Sequence, residues 1–311
     1  MISPSAKQDL FLHLGGRLEE RVPLAPLTTI KIGGPAALFF AAQSPDDLVE
    51  TTALARSEGI EYWLMGGGSN LVVSDEGLPG LVIVDTNRKR FEFGDCTVTA
   101  SSGVALAEVV EACRERGLAG LEFGVGIPGN IGGAVCGNAG AYGCTVGQRL
   151  IEAEVWTPEG RLRRVTPDFF QFQYRESVFK RSKGLVLSAT FAVEPGDPEQ
   201  IEQKMEENMQ RRLERLPPPQ VPSAGSFFKN LPAEEPGGRR RAAGQLLEQS
   251  GVIGLRVGNA QVYEKHANII INLGGATACE VKALARQMKR QVASKFAIAL
   301  EEEARFLGRV D

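Results

Sequence analysis

Two glycine-rich segments combine a flexible backbone with polar side chains, at a spacing suited to holding phosphate groups. The first is residues 66–70 (GGGSN), and the second is residues 124–133 (GVGIPGNIGG). Glycine lets backbone N–H groups approach a ligand closely, and successive N–H groups in such turns bind anions. We therefore predict that the two loops hold the diphosphate of a dinucleotide cofactor from two sides.

The second loop also contains the pattern GxGxxG, formed by Gly124, Gly126 and Gly129. In Rossmann proteins this pattern joins a buried strand to a helix, and an acidic residue follows roughly 20 positions later. Here residues 119–123 make a poor strand, Pro128 stands where the helix would begin, and no acidic residue is clearly placed. The context favours a mixed α+β domain over a Rossmann fold.

Three further clusters place hydroxyl, amide or charged groups together: residues 174–177 (YRES), 223–230 (SAGSFFKN) and 301–305 (EEEAR). We predict that the first of them lies between a short helix and a strand. Such groups could transfer a proton or stabilise a developing charge. Each cluster also has an ordinary interpretation. Arg175 could form a surface ion pair, Ser226 a turn hydrogen bond, and the glutamates a solvated acidic run. The residues alone leave both interpretations open.

Capping residues, turn residues and apolar spacing predict the elements that must position these groups. The predicted helices are 45–58, 105–116, 197–216, 242–250 and 277–296, and the predicted strands are 60–65, 81–84, 91–93, 96–100, 151–156, 162–165, 184–193 and 268–272. The charge run at 200–215 is interpreted as a solvated helix face without a function. We predict three consecutive domains, 1–87, 88–195 and 196–311, with a linker near 216–222 that contains three prolines.

Composition narrows the class of protein. Of the 311 residues, 43% are hydrophobic and 23% charged, and no apolar run approaches the roughly 20 residues of a membrane span. The N-terminus lacks the features of a secretory signal, so we expect a cytoplasmic protein. A net charge of -3 argues against nucleic acid as a partner, and the spacing of the five cysteines predicts neither a disulfide framework nor a metal site. We expect a small-molecule ligand; the sequence gives no prediction of the oligomeric state.

Taken together, these segments resemble the UDP-N-acetylenolpyruvoylglucosamine reductases, flavoenzymes of bacterial cell-wall precursor synthesis. The resemblance rests on seven segments in the family's order: 29–36, 65–71, 129–134, 137–143, 174–175, 225–230 and 265–268. It implies an α+β protein with the vanillyl-alcohol-oxidase (PCMH-type) FAD-binding fold in two subdomains, followed by a C-terminal α+β substrate-binding domain. The short stretch between Arg175 and Ser226 is similar to the shorter type II branch of the family.

The resemblance also implies a reaction. A hydride from non-covalently bound FAD reduces the alkene of UDP-N-acetylglucosamine enolpyruvate to give UDP-N-acetylmuramate, and NADPH is the reductant. Arg175 and Glu303 would stabilise the enolate-like intermediate, and Ser226 would supply the proton. The choice of Glu303 among the three adjacent glutamates rests on its register to Arg305 and Gly308.

Binding residues are implied segment by segment. Those implied for FAD are Gly66, Gly67, Gly68, Ser69, Asn70, Gly126, Pro128, Gly129, Asn130, Gly132, Gly133, Ala139 and Tyr142, and those implied for the substrate are Tyr174, Lys229, Asn230, His266 and Asn268. For His266 a hydrogen bond within a helix or a turn is an equal alternative. Pro232–Arg241 predicts a polar loop at the substrate entrance.

Two other functions remain open at this point. An oxidase of alcohols or sugars on the same flavin fold would share the glycine loops, but it gives no reason for the arginine and serine clusters. A non-catalytic flavin-binding module would bind the cofactor without turnover, and the presence of Arg175, Ser226 and Glu303 argues against it.

Overall fold

The structure is a computed structural model that describes residues 2–87, 91–235 and 238–311. Its α-helices are α1 (Pro4–Leu14), α2 (Pro45–Ser57), α3 (Leu106–Glu115), α4 (Ile131–Cys136), α5 (Val146–Arg149), α6 (Pro167–Phe170), α7 (Val178–Arg181), α8 (Pro198–Arg215), α9 (Ala243–Gln249) and α10 (Ala278–Phe296). Its strands are β1 (Leu18–Pro23), β2 (Pro35–Ala42), β3 (Tyr62–Met65), β4 (Leu71–Val73), β5 (Leu78–Asp85), β6 (Phe91–Gly94), β7 (Thr97–Ser101), β8 (Leu118–Ala119), β9 (Gly140–Ala141), β10 (Cys144–Thr145), β11 (Leu150–Trp156), β12 (Leu162–Val165), β13 (Leu185–Ala192), β14 (Glu194–Pro195), β15 (Ser223–Ser226), β16 (Arg256–Val257), β17 (Ala260–Val262), β18 (Ile269–Asn272) and β19 (Arg305–Leu307).

The chain divides into two compact units that alternate along the sequence. Unit 1 consists of Met1–Glu20, Leu38–Gly67 and Gly80–Arg212, and unit 2 consists of Arg21–Ala37, Gly68–Pro79 and Leu213–Asp311. Most of α8, which the prediction assigns to the third domain, belongs to unit 1. The predicted boundaries at 87/88 and 195/196 stay predictions, and residues 88–90 lie outside the described residues.

Unit 1 contains two sheets. One is four-stranded, in the order β1-β2-β5-β3, and its strands β3 and β5 are parallel, with Met65 opposite Val84. The apolar run of β5 is buried, as expected for a strand in a parallel pair. The other sheet is five-stranded and antiparallel, in the order β12-β11-β13-β7-β6. The chain enters the first glycine loop directly from the end of β3.

Two apolar cores support these sheets. One collects buried residues of α1, α2 and the four-stranded sheet, such as Leu48 and Ile83, together with Leu185 and Leu187 of β13. The other collects residues of the five-stranded sheet and of helices α3 and α4, including Val109. The spacing of buried residues along α3 follows the helical period, so one face of α3 packs into this core.

Unit 2 is built on a four-stranded antiparallel sheet in the order β15-β18-β17-β16. Helix α10 contributes a buried apolar face to the core of this unit. It begins with a capping box, in which the N–H of Glu280 donates to the Thr277 hydroxyl and the N–H of Thr277 donates to the Glu280 carboxylate. A second, two-stranded sheet pairs β4 and β19 in parallel, with Leu71 opposite Arg305.

The predicted helices and strands are confirmed to within a few residues, but one placement is wrong. The 174–177 cluster lies between two short helices, α6 and α7, and not between a helix and a strand, because the chain turns into α7 directly after Ser177. The polar loop after Asn230 is closed by a bond from Leu231 N–H to the carbonyl of Arg241 (3.0 Å), and its residues 236 and 237 lie outside the described residues. Across the part of the chain that the structure describes, none of the helices has the length and apolar character needed to cross a membrane.

Candidate active site

The two glycine loops meet in unit 1. A Cβ atom on Gly66 would overlap the side-chain amide of Asn130, and a Cβ on Gly67 would lie 2.9 Å from the Cα of Gly129. Any side chain at these two positions would therefore push the loops apart. This close approach of the two loops, which depends on the absence of side chains at Gly66 and Gly67, fits the diphosphate cradle expected from the sequence.

Helix α4 begins at the end of the second loop. Asn130 caps it by accepting a hydrogen bond from the N–H of Gly133 (3.0 Å), and the N–H of Gly132 donates to the carbonyl of Ser102 (2.8 Å). The residues that precede the loop form a 3-10 turn, Glu122–Gly124, where a Rossmann fold would have a strand. The expectation that this GxGxxG segment lacks the Rossmann context is confirmed.

Tyr142 and Ala139 follow α4. Tyr142 has a left-handed backbone (φ 53°), and its hydroxyl donates to the carbonyl of Asn208 on α8 (2.7 Å). Both backbone groups of Ala139 form hydrogen bonds of 2.8 Å. Its N–H donates to the carbonyl of Ala134, and its carbonyl accepts from the N–H of Val146. The segment implied for FAD binding is thus fixed by main-chain and tyrosine hydrogen bonds.

Arg212 is a candidate site residue that the sequence argument missed. A Cβ on Gly126 would lie 2.9 Å from its Nε, so the guanidinium lies against the second glycine loop. Burial holds the pKa of Arg212 below its usual value; the nearby Arg175 cation acts in the same direction and Tyr142 opposes it. The signal was the spacing of Ile201, Met205, Asn208 and Arg212, which marks one inward face of a helix that we interpreted as solvated.

Arg175 occupies a tight turn in unit 1. Gln173 and Glu176 close this turn by exchanging two backbone hydrogen bonds of 3.0 and 3.1 Å. Arg175 itself has a left-handed backbone (φ 58°), which is unusual for a residue other than glycine. Its guanidinium carbon lies 5.7 Å from the ring centroid of Tyr174. The sequence brings these two predicted site residues together.

Ser226 lies at the end of β15 in unit 2, directly after an irregularity in the pairing with β18. Gly225, which precedes it, has a left-handed backbone (φ 72°). A glycine in this conformation beside an extra residue is typical of a β-bulge, which redirects the following side chain. After the bulge the chain continues through Phe227 and Phe228, both buried, to Lys229.

The Ser226 segment pairs with the C-terminal glutamates. The N–H of Glu303 donates to the carbonyl of Phe227 (2.8 Å), and the N–H of Lys229 donates to the carbonyl of Glu301 (2.9 Å). This pairing places the backbone of Glu303 beside the residue that follows Ser226. Two predicted catalytic residues of unit 2 are therefore neighbours in space although they are far apart in sequence.

The other two glutamates of the run are engaged by lysines. The Glu301 carboxylate lies 2.6 Å from Nζ of Lys229, and the Glu302 carboxylate lies 3.2 Å from Nζ of Lys289. These ion pairs engage both carboxylates. The choice of Glu303 as the catalytic glutamate, made from register, stays a prediction.

Asn70 connects the first glycine loop to Glu303 within unit 2. Its side-chain amide donates to the carbonyl of Glu303, and its own carbonyl accepts from the N–H of Arg305, both at 2.9 Å. The preceding Gly68 accepts a bond from the N–H of Thr29 (3.2 Å), and the carbonyl of Ser69 accepts a long bond from the Thr29 hydroxyl (3.4 Å). Loop residues predicted to bind FAD thus also support the segment that contains the predicted catalytic Glu303.

Asn268 and Asn230 hold the backbone of the site. The Asn268 side chain accepts from the N–H of Phe228 and donates to its carbonyl, both at 2.9 Å, and the residue is only 3% exposed. The Asn230 side chain accepts from the N–H of Ala243 at the start of α9 (3.1 Å). These contacts indicate that both residues position the Ser226–Lys229 segment, while their direct contact with substrate stays a prediction.

His266 takes part in a turn. Its N–H donates to the carbonyl of Tyr263 (3.2 Å), and its ring Nδ1 accepts from the N–H of Asn268 (3.2 Å). Burial, assisted by the nearby charge of Arg215, holds the pKa of His266 below its usual value. The turn hydrogen bond, one of the two alternatives for this residue, is thus observed.

Comparisons with known proteins agree with this arrangement. Residues 36–166 match the model of a family described as FAD binding domain, and residues 217–307 match the model of the UDP-N-acetylenolpyruvoylglucosamine reductase C-terminal domain. A UDP-N-acetylenolpyruvoylglucosamine reductase from Synechococcus sp. (strain JA-3-3Ab) is 40% identical over 304 residues, which is 96% of this chain and 94% of the relative. One from Anoxybacillus flavithermus (strain DSM 21510 / WK1) is 37% identical over 306 residues, 97% of this chain and 98% of the relative.

A solved structure of a reductase also matches this chain over most of its length. The UDP-N-acetylenolpyruvylglucosamine reductase (MurB) of Thermus caldophilus matches with a TM-score of 0.79 and 32% identity, over 94% of this chain and 99% of that one. The predicted α+β flavoprotein fold, with an FAD-binding portion and a C-terminal domain of the reductase type, is confirmed. This chain belongs to the UDP-N-acetylenolpyruvoylglucosamine reductase family.

Proposed function

We propose that this chain reduces UDP-N-acetylglucosamine enolpyruvate to UDP-N-acetylmuramate in peptidoglycan precursor synthesis, with FAD as its cofactor and NADPH as its reductant, in the cytoplasm. Family membership supports the reaction and the cofactor. The observation that carries the assignment of residues is the pairing of Phe227 with Glu303 in unit 2, because it brings a serine and a glutamate of the predicted catalytic set side by side.

The glycine loops fit FAD, since they approach each other so closely that a Cβ on Gly66 or Gly67 would collide with the second loop. The residues that would hold the cofactor are those of the two loops and the segment after α4: Gly66, Gly67, Gly68, Ser69, Asn70, Gly126, Pro128, Gly129, Asn130, Gly132, Gly133, Ala139 and Tyr142. Arg212, as a cation beside Gly126, joins this set as a partner for phosphate. When bound, FAD supplies the hydride that adds to the substrate alkene.

The chain's own residues stabilise and neutralise the charge that this addition creates. The negative charge spreads from the alkene carbon into the substrate carboxylate, where the Arg175 guanidinium would pair with it. Glu303 would take part as a neutral acid or within a hydrogen-bonded pair, because a bare carboxylate would repel that charge. The Ser226 hydroxyl would donate the proton to carbon and be reprotonated from solvent or a neighbour. Lys229 and Tyr174 would bind the substrate nearby.

Anaerobic stopped-flow absorbance tests the proposal. The purified protein is reduced with NADPH and then mixed with UDP-N-acetylglucosamine enolpyruvate. We expect rapid reoxidation of the flavin with formation of UDP-N-acetylmuramate. A reduced flavin that ignores this substrate and reacts fast with oxygen would overturn the proposal and point to an oxidase.

The same experiment on two serine variants tests the proton donor. In Ser226→Ala, NADPH should still reduce the flavin while product formation falls by about 10²- to 10⁴-fold, the contribution of a positioned proton donor. Ser223→Ala is the matched control, since it removes a hydroxyl from the same strand and should leave both half-reactions unchanged. Equal product formation in the two variants would remove Ser226 from the assigned role.

A further inference from the structure

The backbone of Arg175 adopts a conformation that its own residue type disfavours. Its φ of 58° lies in the left-handed region, where a Cβ crowds the backbone. A residue other than glycine stays in this region only when its surroundings hold it there, and such positions cluster at functional sites. The contacts around Arg175 should therefore include the groups that keep it in place.

One of those groups is the ammonium of Lys180, which lies in α7, the short helix that follows the Arg175 turn. Its Nζ donates to the carbonyl oxygen of Arg175 at 2.8 Å and lies 3.7 Å from the Glu176 carboxylate. The Lys180 side chain is only 12% exposed, which is unusual for a lysine. A hydrogen bond from a charged donor in such surroundings is roughly twice as strong as one between neutral groups.

Side chains also hold the two ends of the turn. The Asn138 amide donates to the carbonyl of Gln173 (2.9 Å) and accepts from the N–H of Gly147 (3.0 Å). The Ser177 hydroxyl donates to the carbonyl of Cys136 at the end of α4 (2.6 Å). Both ends of the turn are thus fixed to neighbouring segments, and the Lys180 ammonium binds the carbonyl of Arg175 between them.

We propose that Lys180 is a positioning residue for the reductase reaction, which orients the Arg175 guanidinium by holding the carbonyl of Arg175 in the left-handed turn. The inference rests on the proposed function, since it takes Arg175 as the group that stabilises the intermediate. Without the Lys180 ammonium, the peptide of Arg175 relaxes toward an ordinary backbone conformation and the guanidinium leaves its productive position. The loss then falls on the chemical step and not on substrate binding.

The test is Lys180→Met, which keeps the apolar stem and removes the donor. We expect kcat for product formation to fall on the order of 10- to 100-fold, the usual effect of misplacing a catalytic group by about 1 Å. KM for the enolpyruvyl substrate and the rate of flavin reduction by NADPH should stay within about twofold. Lys180→Arg, which restores a charged donor, should recover most of kcat.

Arg181→Met is the matched control, because it removes a positive charge from the neighbouring, exposed position of α7. It should leave kcat unchanged. A double variant separates positioning from a direct role. If Lys180 acts through Arg175, Lys180→Met should have no further effect in an Arg175→Ala background.

The outcomes distinguish the two proposals. A wild-type protein that does not reduce the substrate overturns the proposed function. A wild-type protein that turns over, with Arg175→Ala impaired and Lys180→Met fully active, overturns this inference alone. If Lys180→Met fails to retain flavin, Lys180→Gln replaces it, since a neutral N–H donor keeps the polar end and should give an intermediate kcat; wild-type kcat in that variant overturns the inference.

Discussion

Ser226 and Arg175 are positioned differently, although each depends on one residue with a left-handed backbone. Beside Ser226 that residue is Gly225, which adopts the conformation without steric cost, and strand pairing supports the segment. In the other turn it is Arg175 itself, and side chains such as Lys180 hold the peptide in place. The comparison teaches that the serine is placed by backbone geometry, whereas the arginine is placed by neighbouring side chains.

The largest effect on kcat is expected when Arg175 is replaced by alanine or by glycine, and these two variants also test whether its backbone is strained. Both variants lose the guanidinium, so we expect kcat to fall by about 10²- to 10³-fold in each. Glycine relieves the left-handed strain that alanine retains, so the Gly variant should be about 1 kcal/mol more stable than the Ala variant. Urea unfolding and steady-state kinetics measure the two quantities.

Gln171 provides the matched pair for that experiment. It also has a left-handed backbone (φ 48°), at the end of α6, but it belongs to no predicted site. Gln171→Gly and Gln171→Ala should differ in stability in the same direction, with kcat unchanged. Equal stabilities of the Gly and Ala variants at Arg175 would show that its backbone conformation carries no strain.

A smaller effect is expected where the Asn268 side chain bonds the backbone of Phe228, beyond the strand that places Ser226. Asn268→Ala leaves the N–H and the carbonyl of buried Phe228 without their partners, and we expect a loss of about 3 kcal/mol in the free energy of unfolding. A stability of the Ala variant within 0.5 kcal/mol of wild type, roughly the scatter of surface substitutions, would contradict this view.

Substitutions of Gly225 test whether backbone conformation places Ser226. Apart from the two chain neighbours, no atom of the described residues lies within 4 Å of a Cβ built at this position, so the effect of Gly225→Ala comes from φ. We expect a loss of about 1 kcal/mol in stability and a lower kcat, because the bulge that directs Ser226 is strained. Gly225→Asn should cost less, since asparagine tolerates the left-handed region. Equal stability and equal kcat of the alanine and asparagine variants would show that the φ of residue 225 does not cause the loss.

The smallest expected effect is a loss of stability at acidic pH that His266 causes. Its pKa is lowered in the folded protein by burial and by Arg215, so the unfolded chain binds the proton more readily. Stability should be constant above the unfolded pKa of about 6.5 and decrease as the pH falls below it. His266→Gln should reduce this decrease. Urea unfolding at a series of pH values between 5 and 8 measures it, and an identical pH profile in the variant would exclude His266 as its source.

The sequence predicted the elements better than their contacts. Capping residues and apolar periods are local signals, so α2, α10 and the β6–β7 hairpin could be placed from the chain alone. The pairing of Phe227 with Glu303 has no local signal, because it joins distant segments by backbone atoms that every residue shares. The residue types of the site could be predicted from motifs, but their partners could not.

Arg212 and Lys180 show why the rest was missed. Each is a cation within a charged or short polar stretch, where the usual expectation is a solvated side chain. Only the fold shows that Arg212 lies on the buried face of α8 and that the Lys180 ammonium reaches a carbonyl five residues earlier. A closer count of the spacing along α8 would have found Arg212, whereas Lys180 has no sequence signal of its own.

The parallel pair of β4 and β19 has a consequence for how the chain is made. Asn70, just before β4, and its partner Glu303 are 233 residues apart in sequence. A ribosome that adds about 5 to 20 residues per second needs roughly 10 to 50 s to cover this distance. During that time β4, whose residues Val72 and Val73 are fully buried in the finished protein, is an apolar strand without its partner. Nascent chains of this protein should therefore be prone to aggregation through β4 until β19 has been made and pairs with it.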